Sequence, residues 1–191
     1  MFARPLLPLA LLAVITTTAV AQNRPDAQAL MASQKDALAK LAFMDGVWRG
    51  PAWTILPDGR KSNVTQTERI GPFLGGCVKV IEGRGYRDDG TIGFNAFGIV
   101  SYDPAKQAYA FHSYAQGQSG DFAFTPKDHG YMWEIPAGRM TLRYTATIGD
   151  STWREVGERI IEGREPSQFF EMNLRRIGDT KWPAEGAIPM K

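Results

Sequence analysis

The chain has 191 residues, and its 22 basic and 20 acidic side chains give a formal net charge of +2. A hydrophobic fraction of 43% and a charged fraction of 22% are typical of a globular protein and argue against a disordered, coiled-coil or collagen-like chain. The near-neutral charge argues against a nucleic-acid binder, which would need a basic surface. The 20 glycines and 12 prolines exceed average usage and indicate many turns between short elements.

The first 21 residues are predicted to be a secretory signal peptide. Arg4 gives a positive start, an apolar run covers residues 6–14, and Ala19 and Ala21 supply the small residues that a signal peptidase reads. Cleavage is expected after Ala21, which predicts a periplasmic or extracellular protein with no membrane span after cleavage. A retained membrane anchor is the disfavoured alternative, because the apolar run is short for a span of about 20 residues.

A single helix is predicted in the next segment, residues 22–42. Asp26 follows a proline and is a suitable N-cap, and leucines at near-helical spacing continue as far as Leu41. The apolar stripe of this helix is narrow. We therefore expect the helix to pack on the surface of the remaining domain or to close one end of it.

After Gly46 the pattern changes to short β-rich runs that are bounded by turn residues, such as Pro-Asp-Gly at 57–59. Short links join antiparallel neighbours, because parallel strands need long crossovers. Such a meander avoids exposed edges by closing on itself. Residues 43–178 therefore predict an all-β, antiparallel up-and-down barrel, and residues 179–191 predict a polar tail. The predicted strands, about ten in number, cover residues 47–56, 62–70, 77–86, 91–102, 108–114, 121–125, 131–135, 139–148, 152–161 and 168–176.

Glycines also occur inside the predicted strands, at Gly83, Gly85, Gly93, Gly98 and Gly157. They are predicted to mark bends or close backbone contacts. A dinucleotide site is disfavoured, because the Gly-x-Gly at 83–85 lacks the third glycine and the following helix that such a site requires.

The chemistry-bearing residues give no catalytic or metal site. Cys77 is the only cysteine, so it forms no internal disulfide, and its place in an apolar run predicts a buried, inert thiol. The two histidines, His112 and His129, are too few and too far apart to suggest structural zinc. His112 and Ser113 are adjacent on a strand and point to opposite faces, so they do not form a catalytic pair. No catalytic residue is assigned.

The ends of the predicted barrel carry its most informative residues. Gly46 and Trp48 open the first strand, and Arg176 ends the last strand. In a closed meander these two strands are neighbours. We therefore predict that the Trp48 indole plugs one end of the barrel and that the Arg176 guanidinium lies across the indole as a cation–π pair.

The combination of Gly46-Val47-Trp48 with Arg176 resembles the calycin barrels, a group that includes lipocalins, fatty-acid-binding proteins and nitrobindin-like proteins. A wider pattern resembles the secreted bacterial family of domain of unknown function 1579, and this resemblance covers residues 41–176. It implies a calycin-like barrel and assigns no catalytic residue. Nitrobindin-like barrels bind haem through a histidine late in the chain. No histidine follows His129 here, so haem binding is disfavoured and no cofactor is predicted. The wider pattern consists of Leu41, Phe43, Gly46-Val47-Trp48-Arg49-Gly50, Val100-Ser101-Tyr102-Asp103-Pro104, Tyr109, His112-Ser113-Tyr114, Trp153-Arg154-Glu155 and the final residues 170–176.

Polar residues on the predicted wall strands are candidates for ligand anchors. Glu155 and Arg159 are four residues apart on one strand and share a face with Trp153. If that face is internal, they form a buried pair or a polar anchor for a ligand; in the other register both are on the surface. His112 and Tyr114 are the remaining predicted anchors.

The leading functional hypothesis is a non-enzymatic protein that binds a small hydrophobic or amphipathic molecule inside the barrel. The sequence leaves two alternatives open, an enzyme with a polar site inside the barrel and an interaction module that uses an outer face or the helix. It also leaves open whether the interior is hollow or filled. The hypothesis depends on aromatic residues of the wall strands, namely Phe94, Phe97, Phe111, Tyr114, Phe122, Phe124, Tyr131, Trp133 and Tyr144.

Overall fold

Ten antiparallel strands close into one barrel in the computed structural model, which describes residues 26–185 together with Ile188 and Met190. Neighbouring strands follow chain order, and β1 pairs with both β2 and β10, so each of the ten described strands has a partner on both sides. The β6–β7 ladder is short and joins only Phe124–Lys127 to Gly130–Trp133. The predicted up-and-down barrel is therefore confirmed. The predicted signal peptide lies outside the described residues. The strands are β1 Gly46–Ile55, β2 Lys61–Phe73, β3 Val78–Tyr86, β4 Ile92–Asp103, β5 Ala108–Ala115, β6 Gln118–Lys127, β7 Gly130–Ala137, β8 Met140–Ile148, β9 Thr152–Ile161 and β10 Ser167–Gly178.

One α-helix precedes the barrel in the described part of the chain, α1 at Ala27–Ala39. Its N-cap is Asp26, as predicted, and the Asp26 carboxylate accepts a hydrogen bond from the backbone N–H of Gln28 at 3.0 Å. A short 3-10 turn, Ala42–Met44, leads from α1 into β1. No helix among the described residues combines the length and the apolar character needed to cross a membrane.

The helix closes the end of the barrel at which β1 begins. Leu38, Leu41 and Met44 are buried in the same apolar cluster as Trp48. The Tyr109 hydroxyl of β5 donates a hydrogen bond of 2.8 Å to a backbone carbonyl of α1. Exclusion of water from these large side chains holds α1 against the strand ends. The expectation that the helix closes an end is confirmed.

Trp48 is a core residue at this closed end. It is 1% exposed, it makes an edge-to-face contact with Trp153 at 5.7 Å between ring centroids, and its indole N–H donates to the Met44 carbonyl at 2.9 Å. Trp48 is also the register partner of Arg176 across β1 and β10. The predicted meeting of the first and last strands at these two residues is confirmed.

The predicted cation–π contact between Arg176 and Trp48 is wrong. The Arg176 guanidinium donates instead to the backbone carbonyl of Asp45, at 3.2 and 3.4 Å, and to the carboxylate of Asp179. It lies over Gly46, where a Cβ atom would come within 2.8 Å of Arg176 Nη2. A backbone irregularity between Val47 and Trp48 turns Gly46 to this position, with a φ of 131° that favours glycine.

The start of the predicted polar tail packs on the barrel. The guanidinium of Arg69 on β2 lies 4.4 Å from the centroid of the Trp182 ring. The Trp182 carbonyl lies so close to Gly71 that a Cβ atom there would be 2.1 Å from it. Residues 181–185 are thus held against the outer face of β2, which the polar composition of the tail did not indicate.

Cys77 precedes β3 and is 8% exposed. Its sulfur lies 3.9 Å from the Met31 carbonyl of α1. The predicted buried thiol is therefore confirmed, and it belongs to the contact between the helix and the barrel.

Candidate functional site

The barrel encloses a cavity of about 500 Å³. Lining residues at the end far from α1 are exposed to solvent, among them Gln116 in the β5–β6 turn and Gln118 and Ser119 at the start of β6. The cavity therefore reaches the surface at this end and is closed at the other by the helix and Trp48. We call the exposed end the mouth and the closed end the floor. Thr54 and Leu56, where β1 ends, also lie at the mouth.

Aromatic side chains form a large part of the cavity wall. The rings of Trp133 and Tyr144 stack at 4.3 Å with 7° between their planes, and Phe111 meets Trp133 edge to face at 5.0 Å. Such contacts fix the rings in place, because stacked and edge-to-face geometries are the favourable ones. The aromatic residues with side chains on this wall are Phe94, Phe111, Phe122, Phe124, Tyr131, Trp133, Tyr144, Trp153, Phe169 and Phe170.

Glycines inside the strands make room for these inward side chains. A Cβ atom on Gly98 would lie 2.3 Å from the Phe111 ring, and one on Gly83 would lie 2.7 Å from Glu68 Oε1. Gly83 is also the direct register partner of Glu68 on β2. The prediction of close contacts at strand glycines is confirmed at both positions.

Glu155 of β9 is a buried carboxyl group near the floor. It is 6% exposed, it accepts a hydrogen bond from the Tyr131 hydroxyl at 2.5 Å and it accepts a second from the Trp133 indole N–H at 3.2 Å. Burial raises the pKa of Glu155, and the hydrogen bonds from Tyr131 and Trp133, with the nearby indole N–H of Trp153, act in the opposite direction. Glu155 therefore lies on the inner face of the barrel, which is the first of the two alternatives that the sequence left open; the other put it on the surface.

Glu68 of β2 is the second buried carboxyl group. It is 7% exposed and accepts a hydrogen bond of 2.7 Å from the side-chain amide of Gln66, which is also buried. Burial raises the pKa of Glu68 to about 8, the Gln66 hydrogen bond opposes this, and the charges of Glu155 and Glu82 add to the increase. The two floor carboxyls therefore interact electrostatically.

Neither floor carboxyl has a cationic partner among residues 26–185. On the outer face, by contrast, Glu82, Glu134 and Glu171 each form a salt bridge with an arginine. The Trp153 indole N–H is buried near the same carboxyls and has no hydrogen-bond partner among the described residues. The floor thus holds polar groups whose bonding capacity is only partly used.

Arg159 does not pair with Glu155. Its guanidinium donates to the Ile55 carbonyl at 3.4 Å and lies 4.8 Å from the centroid of the Phe169 ring. Ile55 ends β1, so Arg159 is placed at the rim of the mouth, away from the floor. The four-residue spacing correctly put Arg159 and Glu155 on one strand face, but it also separated them along the strand by about 13 Å.

His112 and Tyr114 lie on the outer face of β5, so they do not reach the cavity as predicted. His112 Nδ1 is 2.6 Å from a carboxylate oxygen of Asp121, and Tyr114 is 51% exposed. Their neighbours Phe111 and Ser113 line the cavity instead. This is a correction to the predicted anchors, and its cause is the two-residue period of a strand, which puts alternate residues on opposite faces.

Glu68 and Gln66 were not among the site residues predicted from the sequence. Both lie on the inner face of β2 between Val64 and Ile70, and Ile70 is fully buried. Counting back from Ile70 in steps of two would have placed both polar residues inside. A second indication was Gly83, the in-strand glycine that lies opposite Glu68.

No cluster of three or more histidine, cysteine, aspartate or glutamate side chains suited to a metal ion is found within the described residues. The floor is consequently a pair of carboxyl groups with neutral hydrogen-bond donors. As a class, the molecule is a closed antiparallel β-barrel with an internal cavity that has one closed and one open end.

Comparison with solved structures supports this fold. The crystal structure of Rv2717c from M. tuberculosis matches with a TM-score of 0.56 and 12% sequence identity, over 74% of this chain and 97% of that chain. At this identity the likeness concerns the fold alone. No protein-family model and no curated protein matches the chain.

Proposed function

We propose that this protein binds a small hydrophobic or amphipathic molecule in the barrel cavity. The observation that carries the proposal is the hollow interior, with aromatic walls, a polar floor and a mouth. The volume of about 500 Å³ falls in the range of about 300–1,000 Å³ that is typical of ligand pockets.

The energetics of the interior support binding. Phe111, Trp133 and Tyr144 are only partly buried, although they lie on the inner face of the barrel. Apolar surface left uncovered forgoes about 25 cal/mol per Å² of burial, and an empty cavity lowers stability further. A ligand that covers these rings recovers that free energy. Departures from a well-packed core are expected at functional sites.

Secretion and the family relationship belong to the same proposal. A cleaved leader over residues 1–21 would deliver the barrel to the periplasm or the medium, where it meets molecules from outside the cell. Barrels of calycin type and the family of domain of unknown function 1579 are the relatives that the sequence pattern suggests.

The proposal is tested by filling the cavity. Ser113→Trp places an indole on the inner face of β5, and Tyr114→Trp places the same side chain on the outer face as the matched control. The probe is N-phenyl-1-naphthylamine, a neutral apolar fluorophore whose emission rises in apolar surroundings. We expect Ser113→Trp to weaken binding at least about tenfold and Tyr114→Trp to leave it unchanged.

Native mass spectrometry of the protein purified from the periplasm gives the second measurement. An additional mass that denaturation releases, and that Ser113→Trp no longer retains, identifies the natural ligand. If the fluorophore does not bind, or if it binds Ser113→Trp as well as the original chain, the cavity is not a binding site and the proposal is wrong.

A further inference from the structure

The floor of the cavity has unused capacity to accept hydrogen bonds. Two carboxyl groups there receive three hydrogen bonds in total, one from Gln66 to Glu68 and two from Tyr131 and Trp133 to Glu155. An ionised carboxylate accepts about four. All three donors are neutral, so both carboxyls lack the positive charge that buried carboxylates normally pair with.

Other carboxyl groups of the protein do have cationic partners, including Asp45, which pairs with the buried Lys79. Glu82 on β3 binds both Arg69 and Arg84, and Glu171 on β10 binds Arg154. These pairs are on the outer face, where solvent already screens the charge and a partner is needed least. The inner carboxyls, which need a cation most, have none within the described residues.

We propose that the ligand carries a protonated amine, and that this amine binds between Glu68 and Glu155 while an apolar body lies against the aromatic walls. This inference rests on the proposed binding function and specifies the chemical class of the ligand. An ammonium group offers three donors, which match the unused acceptors of the two carboxylates. The faces of Trp133 and Tyr144 add a favourable environment for a cation.

An anionic head group fits the same floor poorly. Its charge would oppose ionisation of Glu68 and Glu155, so it would bind only with protonated carboxyls, whereas an ammonium group pairs with the ionised forms. Arg159, the cation on the same strand face, is engaged at the rim by Ile55 and Phe169. The polarity of the cavity thus runs from a cationic rim to an acidic floor.

Proton release should accompany binding of the amine. The groups that act on the floor carboxyls are Glu82, Gln66, Tyr131, Trp133 and Trp153, and none of them is a cation. Without ligand, Glu68 with its pKa of about 8 holds a proton at neutral pH. Salt-bridge formation with an ammonium group requires the carboxylate, so that proton leaves to solvent.

The test compares three probes that have one apolar body and differ in the head group: 4-phenylbutylamine, 4-phenylbutanol and 4-phenylbutanoate. Isothermal titration calorimetry measures binding of each probe to the original chain and to Glu68→Gln, Glu155→Gln and the outer-face control Glu171→Gln. We expect the amine to bind at least about tenfold more tightly than the alcohol, and the alcohol more tightly than the carboxylate. Each floor variant should remove most of that preference, and Glu171→Gln should retain it.

Titrations in two buffers that differ in ionisation enthalpy measure the released proton. Between pH 6 and 8 the affinity for the amine should rise by up to about tenfold per pH unit and then level off, while the affinity for the alcohol should not rise. Urea unfolding of each variant confirms that it is folded.

The outcomes separate the two proposals. If the three probes bind equally well, or if the carboxylate binds best, the amine assignment is overturned and binding in the cavity stands. If Glu68→Gln and Glu155→Gln keep the full preference for the amine, the floor carboxyls are not the recognition site and the assignment is again overturned. If none of the probes binds, and N-phenyl-1-naphthylamine does not bind either, both proposals fail together.

Discussion

Replacing Glu68 by glutamine is expected to change how the stability of the protein depends on pH. In the folded barrel Glu68 has a pKa of about 8, against an ordinary value of 4.5. The folded chain therefore binds this proton more tightly than the unfolded chain does. The stabilisation is fully present below pH 4.5 and is lost as the pH rises through 8, which is opposite in sign to the usual behaviour of a salt-bridged carboxylate.

The expected magnitude follows from this difference. Each pH unit between the two pKa values corresponds to about 1.4 kcal/mol in the free energy of unfolding. As the pH approaches the folded-state pKa of about 8, the change in stability levels off. Glu68 alone therefore lowers the free energy of unfolding by about 2 kcal/mol between pH 6 and pH 8. Glutamine keeps the acceptor for the Gln66 amide and does not titrate. Glu68→Gln should therefore gain about 2 kcal/mol over the original chain across this interval.

Urea unfolding at pH 6, 7, 8 and 9, followed by circular dichroism, measures the effect. Glu171→Gln is the matched control, because hydrogen bonds from Asn173 and Gln168 lower the pKa of Glu171 and its titration falls below this range. The control should follow the original chain at every pH. Parallel curves for Glu68→Gln and the original chain would show that Glu68 does not change protonation near neutrality, and the account of the floor would be wrong.

Two further predictions concern the packing of the barrel, and both are measured by urea unfolding. Gly98→Ala forces the Phe111 ring out of its position and should destabilise the fold by about 1–3 kcal/mol, whereas Gly178→Ala, at a position with no atom within 4 Å of the new methyl group, should cost far less. Equal losses would contradict the inferred contact. Trp48→Phe removes a buried indole and its hydrogen bond and should cost more than about 2 kcal/mol, against about 1 kcal/mol for Arg176→Met at a partly exposed site. The reverse order would make Arg176 the principal closure residue.

The architecture was predictable because local and global preferences agree along most of the chain. Turn residues bound the runs, and the period of two in β8 separates Ala146 and Ile148 from Arg143 and the threonines. Ten strands joined by short links expose two edges unless the sheet closes into a barrel. Trp48 and Arg176 correctly indicated where the first and last strands pair. The predicted cation–π contact was wrong, because the Arg176 guanidinium binds the backbone carbonyl of Asp45 and not the Trp48 ring.

The inner faces of the middle strands were not predictable in the same way. On β5 both faces carry aromatic residues, with Phe111 on one and His112 and Tyr114 on the other, so hydrophobic alternation does not select a register. On β2 the inner face carries Glu68 and resembles a solvent face. A binding floor breaks the rule that apolar residues face inward, and sequence periodicity therefore fails at the site of interest.

A related difficulty occurs at the start of β10. The register shifts between Gln168 and Phe170, so Phe169 and Phe170 both line the cavity, although they are adjacent. Strict alternation would send one of them to solvent. Such an irregularity adds a residue to one strand and redirects a side chain. The residue types at 168–170 do not indicate it.

The helical closure of one barrel end has a kinetic consequence. With α1, Met44 and Trp48 filling that end, the proposed ligand would enter and leave at the mouth, past the β5–β6 turn and the short β6–β7 ladder. Under the proposed function, residence time would be set at the rim and selectivity at the opposite end of the barrel. Substitutions at the rim should change association and dissociation rates together and leave the equilibrium constant almost unaltered.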